Sequence, residues 1–552
     1  MRKLLIILLF IPVSLFATKK YVATNGNDSA AGDIGTPWKS WKKAFATAVA
    51  GDTVYFRAGT YHVTSIDSIV IAVNSGTAGS PICYFNYPDE VPILDYTGAV
   101  PTASVTRGIQ LTNDKNYIHL KGLTICNMTP VTTVYACYGI YVENCDTITI
   151  ENCVVHDFGG TGFAIYNADK IHVKNCDSYD NVNLTSTPSG SSGTGFTIGT
   201  SAVSYGAGMY NVKIYFEGCR SWSNSDNGFS MSGHGYHEFK NCWSFGNGEL
   251  SGEGIGFKLG WGETNQDTTN KPSRLVQNCI AACNGNYGMS PNNNGGNSYN
   301  MYIYNNLFYH NGYKHWLGTW KSTFGVGIVI NNYSTAAPDE ELYANNISYA
   351  NEYSNVRALD TYTHNHNSWD IPVNVTDADF VTLDTLLLDD ARQSDGSLPD
   401  IDFGKLTSIS GCINTGVDVG LDYNSTAPDL GWYEYTVEAP PAASTVSTNA
   451  VTEPNIHGAT CGGIVTYDGG GTVSARGVCW STSENPTTSD SKTSDGTGTG
   501  VFTSTITGLS ANTTYHVRAY SNNGVVSYGT DIEFTTPAYS YLQYKDKSVV
   551  IQ

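Results

Sequence analysis

The hexapeptide "ITIENC", Ile148–Cys153, is followed 23 residues later by "IHVKNC", Ile171–Cys176. Three more of its kind come after: "IYFEGC" (Ile214–Cys219), "HEFKNC" (His237–Cys242) and "RLVQNC" (Arg274–Cys279). Each closes a short alternating stretch with a turn residue and a cysteine. A second mark follows each cysteine. Gly162-Phe163, Gly228-Phe229 and Gly288-Met289 place the apolar residue ten positions after it, while Gly195-Phe196 and Gly256-Phe257 come at twenty and fifteen. A period of this length is the signature of stacked coils, none of which can bury its inner face alone. Longer intervals, 43 residues to Cys219 and 37 to Cys279, are loops inserted into the same coil.

Strands of period two, Asn/Gly turns and one recurring thiol position predict an all-β parallel β-helix, its coils about 4.8 Å apart; the family resemblance given below implies the right-handed form. A β-propeller is the alternative, but it wants hairpins of similar strands and no single thiol row. "KSWKKAFATAVAGDTVYF" predicts an amphipathic helix over Trp38–Val49 that caps the open end of the solenoid, followed by a first strand. Thirteen cysteines in an exported chain suggest disulfides. The five equivalent positions favour a ladder of small buried thiols instead.

The chain has 552 residues, room for two or three domains. Arg2 and Lys3, the apolar run Leu4–Phe16 and Ala17 read as a secretory signal peptide over residues 1–17. No stretch is long enough for a membrane span. The expected location is therefore secreted, cell-surface or periplasmic. The β-helix is assigned to residues 18–437 and a Pro/Ala linker to 438–442. Short strands at regular spacing over 443–538 read as a β-sandwich. This segment, "ARGVCWSTSENPTTSDSKTSDGTGTGVF" above all, resembles the fibronectin type III-like modules of exported bacterial proteins. Residues 539–552 give no reading. With 49 acidic against 29 basic side chains, the net charge of −20 excludes nucleic acid as partner. A monomer is expected.

Aligning the coils on the Gly-Phe mark exposes one odd residue. One position on stand Ala164, Thr197, Ser230, Lys258 and Ser290; two before the Phe stand Thr161, Thr194, Asn227, Ile255 and Tyr287. Strand alternation turns the first row away from the buried Phe. Lys258, in "GIGFKLG", is the charged member of a neutral outward row. Inserts at 183–208, 249–255 and 262–271 are expected to wall a groove beside it, and "SPNNNGGN" adds Asn292 and Asn293.

From about Lys20 to Tyr435 the chain resembles polysaccharide lyase family 9, the pectate lyase-like right-handed β-helices. The resemblance rests on "YVATNGNDSAAGDIGTPWKSW", "GCRSWSNSDNGF", "GFKLG", "NNNGG", "NSWD" and "TAPDLGWYE". In that family the lysine of "GFKLG" is the catalytic Brønsted base, so the resemblance implies that role for Lys258. It also implies an acidic 4-linked uronate substrate, polygalacturonate or rhamnogalacturonan, cleaved by β-elimination at C5. The base must then be uncharged, and the substrate carboxylate must be neutralised in the transition state. In the family a calcium ion does this, held by an acid before one Gly-Phe and by Asp-Asp-Gly-Phe-Asp around the next. Here those places hold Thr194 and then Asp226, Asn227 and Ser230. One carboxylate of four survives, so Ca²⁺ at Asp226 and Thr194 is a depleted site; Glu253, Asp180 and Asp267 are the candidates to compensate. Arg220 and Lys240 are cations that pair with a carboxylate, and Asn227, Ser230, Arg220, Asn292 and Asn293 are the candidate substrate-binding residues. A β-helical glycoside hydrolase and a non-catalytic glycan-binding protein are the alternatives. His234 in "GHG" and "HNH" at His364 and His366 read as turn and loop residues.

Overall fold

The computed structural model describes residues 18–65, 70–99, 105–129, 136–185, 190–199, 212–233, 235–248, 250, 252–260, 273–291, 301–312, 325–330, 342–358, 363–436, 441–544 and 547–551. The signal-peptide reading, Asn292, Asn293, His234 and Asp267 lie outside them. The chain divides into two compact units, Met1–Thr436 and Val437–Gln552.

The first unit is the parallel β-helix. Each coil contributes one strand to each of three parallel sheets. Asp146–Glu151, Val154–Phe158 and Thr161–Tyr166 make one turn, and Asp169–Lys174 begins the next. The sheets have twelve, ten and ten strands among the described residues. The first runs from Lys19–Val22 to Thr363–Asn365, the second from Gly59–His62 to Ile347–Tyr349, the third from Val70–Ile71 to Ser354–Ala358.

The Gly-Phe mark has a steric cause. Phe163, Phe196, Phe229 and Phe257 stack on the core side of the third sheet, with centroids 4.6, 4.8 and 5.0 Å apart. A Cβ on Gly228 would come within 2.0 Å of the Ser244 Oγ of the next coil. That hydroxyl donates to the carbonyl of Gly256 at 3.0 Å, a bond that Ser178 and Ser221 repeat in their own coils at 2.9 and 3.0 Å. Glycine is thus required where the serine row crosses behind the third sheet.

The thiol row is also as expected. Cys153, Cys176, Cys219, Cys242 and Cys279 are buried, and all thirteen cysteines are free. The backbone N–H of Cys153 donates to Cys176 Sγ at 3.4 Å. Asparagine then replaces cysteine: Cys279 N–H donates to Asn306 Oδ1, and Asn306, Asn346 and Asn367 continue by side-chain amide bonds of 2.9 and 2.8 Å. A second amide ladder runs through Asn181, Asn224, Asn247, Asn284, Asn311 and Asn351. Buried amides stacked at strand spacing satisfy one another, so these polar residues remain inside without an unmade bond.

The capping helix is shorter than expected, Trp41–Thr47. Trp38 is held in a bridge to Val22, and Asp28 accepts the N–H groups of Lys39 and Ser40 at 2.8 and 2.9 Å, fixing a turn there. Ser40 then caps the helix through Lys43 N–H. At the far end Asp52 takes the N–H of Val49 at 3.0 Å. Trp41 and Phe45 close the barrel against Phe56 and Tyr84.

From His366 to Thr436 the chain forms a largely irregular arm over the second sheet. Phe380, Leu388, Ile401, Phe403, Leu406 and Leu430 bury Trp222, Trp243, Phe245, Ile280, Leu307 and Ile347.

The second unit has two antiparallel sheets, one of three strands and one of five, sharing a core of Val465, Phe502 and Ile506 with Val478 and Val517. Cys461 and Cys479 are buried and unbridged. The last residues, unread in the sequence, form a hairpin, Ser540–Tyr544 with Lys547–Ile551.

Candidate active site

Strand register sets Ala164, Thr197, Ser230, Lys258 and Ser290 side by side on the outer face of the third sheet. The lysine strand is only two residues long, Phe257–Lys258, with Phe257 fully buried beneath. The residues on its C-terminal side hold it in place. Leu259 N–H bonds to the carbonyl of Ser290 at 2.9 Å, and the carbonyl of Leu259 accepts from Arg274 Nε at 3.0 Å. Arg274 is fully buried and also donates to the carbonyls of Gly233, Gly235 and Ser273. Gly260 has φ +78°, and a Cβ there would lie 1.8 Å from the Met231 carbonyl. The terminal glycine of "GIGFKLG" is thus fixed by a backbone that passes against it.

Lys258 is 16% exposed and forms an ion pair with Glu253, which is 51% exposed. Glu253 also accepts from Asn227 Nδ2 at 3.2 Å. Asn227 is 2% exposed, and its Oδ1 accepts from Ile255 N–H at 2.9 Å. Next to it, Asp226 accepts from Glu253 N–H at 2.7 Å, from Ser192 N–H at 3.1 Å and from the Thr194 hydroxyl at 3.5 Å. Burial raises the Asp226 carboxyl above its ordinary value, its backbone bond to Glu253 opposes this, and the Glu253 charge adds to the rise. Thr194, Asp226, Asn227 and Lys258 are thus one cluster, joined by Glu253, with Ser230 in register beside Lys258.

The donor set does not fit a calcium ion held by the protein alone. Such an ion takes six to eight oxygens, several of them charged. Here both Asp226 oxygens and the Asn227 carbonyl already accept N–H groups, and Glu253 is paired with an ammonium. Among the described residues no group of three or more His, Cys, Asp or Glu side chains is placed to hold a metal.

Arg220 is not brought to the groove, which corrects its assignment as a substrate contact. It lies on the second sheet beneath the arm, 4% exposed, bonded to Asp177 at 3.0 and 2.9 Å and to the carbonyls of Leu388 and Asp390. Arg392 of the arm grips the same carboxylate. Lys240 stands on the first sheet and Asp180 at the second, both away from Lys258. The sequence pattern does not reveal Arg357. It pairs in register with Val329 on the third sheet, next to the inward pair Ile328 and Val356 that continues the Phe row. Its charge and hydrogen bond act on Tyr287, whose hydroxyl burial nonetheless keeps above its usual value. Extending the row through "VGIVI" to "SNVRA" would have found it; neither carries the Gly-Phe mark.

Residues 20–367 match the model of the Pel9A-like, right-handed β-helix region. The chain belongs to this family. Pectate lyase L of Dickeya chrysanthemi is 29% identical over 438 residues, covering 75% of this chain and 90% of that one. Pectate lyase PEL9 of Emericella nidulans is 28% identical over 412 residues, covering 70% and 91%. Two solved structures share the fold at 25% identity: pectate lyase Pel9A, with TM-score 0.59 over 77% of this chain and 98% of that one, and a rhamnogalacturonan lyase, with 0.57 over 71% and 97%. This Pel9A-like protein is a polysaccharide lyase, and its substrate an acidic polysaccharide. No helix among its described residues is long and apolar enough to cross a membrane.

Proposed function

We propose that this Pel9A-like lyase is exported and cleaves a 4-linked uronate chain of pectic type, polygalacturonate or a rhamnogalacturonan backbone, with Lys258 as Brønsted base. The observation that carries the reading is the placement of Lys258. Its amine stands on the outer face of the third sheet between two small hydroxyl side chains, Ser230 and Ser290, and within one coil of Asn227. The names of its relatives supply the two substrates, and the basic, apolar, small-residue pattern of residues 1–17 supports export.

The chemistry needs the amine uncharged, so Lys258 leaves its ion pair with Glu253 and loses its proton before it acts as base. Lys258 Nζ takes the proton from C5, α to the uronate carboxylate. The C5–H electron pair forms the C4–C5 double bond as the C4–O4 bond breaks, and the departing oxygen takes up a proton. Positioned proton transfer of this kind contributes roughly 10²- to 10⁴-fold. Charge developing on the carboxylate needs hydrogen-bond donors fixed in advance. The Asn227 amide, its orientation set by Ile255 N–H, supports that role, and the hydroxyls of Ser230 and Ser290 flank the sugar.

The test is ultraviolet absorbance of the unsaturated product on incubation with each polymer. Lys258→Ala is expected to lose at least about 10²-fold in kcat with an unchanged circular dichroism spectrum. Activity retained in that variant refutes the base. New reducing ends without the absorbing product would assign a hydrolase instead.

A further inference from the structure

The Lys258–Glu253 pair is unequal. Lys258 and Asn227 are held from behind and largely covered, whereas Glu253 is half exposed on an insert. Its backbone is pinned by the 2.7 Å bond from its N–H to Asp226, so the side chain can turn away without the loop moving. Asn227 has no such freedom. Its carbonyl is bonded to Ile255 N–H, which leaves Nδ2 aimed at whatever carboxylate lies beside Lys258. A buried amide donor left without an acceptor loses its hydrogen bond and regains no water, so an incoming group that displaces Glu253 must itself accept from Asn227. The donor set that fails to suit calcium suits one carboxylate.

We propose that Glu253 is a built-in occupant of the subsite for the reacting uronate's carboxylate, on the Asn227 amide beside Lys258, and that substrate binding exchanges one carboxylate for the other without a metal ion. This rests on the functional reading above. The exchange leaves the charge count at the amide unchanged and releases Lys258 from its ion pair. Among the described residues, Asp226, bonded to backbone N–H groups, and Tyr287 are the other titratable groups that interact with the pair, and Arg357 acts on Tyr287 from the coils beyond. Arg357 contributes a positive charge to this side of the sheet, which favours an anionic chain.

The deciding variant is Glu253→Gln in the full chain, which keeps the size and removes the charge. Oligogalacturonate binding, measured by calorimetry in EDTA, is expected to tighten by roughly two- to tenfold, the worth of the internal pair that substrate no longer displaces. Wild-type turnover is expected to persist in EDTA. Unchanged or weaker binding in the variant, a fall in kcat/KM, or activity that EDTA abolishes and Ca²⁺ alone restores would each overturn the proposal. The two readings fail separately. A Lys258→Ala protein that still cleaves refutes the base and leaves the binding result standing. A dead Lys258→Ala with no gain in Glu253→Gln refutes the occupant alone.

Discussion

Replacing Arg220 by methionine separates a structural cation from a substrate contact. Asp177 is 9% exposed at its side chain and takes two guanidinium groups, Arg220 at 3.0 and 2.9 Å and Arg392 at 3.0 and 2.6 Å. Removing one partner of a buried pair costs about 3–5 kcal/mol when the remaining charge is uncompensated. Here Arg392 still compensates it, which points to the lower end. Two carbonyls, Leu388 and Asp390, also lose a charged donor, at about 1 kcal/mol each. The expected loss is about 3–5 kcal/mol, concentrated where the arm crosses the second sheet. It should appear as a lower urea midpoint and as faster amide exchange in residues 380–406, with KM on the folded fraction unchanged. The pH dependence carries a sign. Burial pushes the Asp177 carboxyl up, but the hydrogen bonds of Arg220 and the charge of Arg392 prevail and hold it below the ordinary range. Its stabilisation is therefore complete above the unfolded value of about 3.9 and is lost as pH falls through the depressed folded value. The gap between wild type and variant should be widest near neutrality and narrow on acidification. A raised KM with an unchanged midpoint would refute this reasoning and return Arg220 to the substrate.

Gly228→Ala places a Cβ within 2.0 Å of Ser244 Oγ, so it should cost about 1–3 kcal/mol by overpacking, read in the same urea experiment. Gly246→Ala, where an added Cβ meets nothing within 4 Å, controls for the general effect of the substitution, although its φ of +62° adds some strain of its own. Glu434, near the end of the arm, has its carboxyl pushed up to about 7, by burial first and then by the charge of Asp429. Its folded value exceeds the unfolded one of about 4.3, so stability is lost as pH rises through about 7. Glu434→Gln is expected to melt higher than wild type at a pH of about 8, with the gain fading toward pH 4.

The fold was legible because stacked coils repeat their steric demands. Each Gly-Phe mark encodes a serine hydroxyl or amide pressing on the glycine from the next coil, and each cysteine of the row is a small thiol buried at the turn. Those demands fixed the register, and the register placed Lys258 beside Ser230 and Ser290. Where the demand could be met by several residue types, the pattern faded. Asparagine took over the thiol row at Asn306 while looking like any turn residue, and Arg274 occupied an inward position in register with His237 and Met301. Arg220 misled for a related reason. Its strand, Arg220–Trp222, is buried on both faces, because the arm covers the side that alternation alone would assign to solvent. The arm has no period, so nothing in the sequence announces which sheet it covers.

Glu253 lies at the boundary between these two kinds of information. It is five residues from Lys258, on an insert without a repeat, and its contact with the amine depends on how that insert returns to the strand. The return is set by Asp226 and Asn227, which capture the backbone N–H groups of Glu253 and Ile255. Asp226 keeps the acid of the family's pattern, whereas Asn227 is one of the positions where that pattern is altered. The alteration and the insert thus act together. Asn227 has the carbonyl that anchors the loop and the amide that meets the carboxylate, and an aspartate there would lack the second. A neutral amide at 227 and an acid at 253 make sense as a pair, and Asn227→Asp should undo both, by repelling Glu253 and any uronate that replaces it.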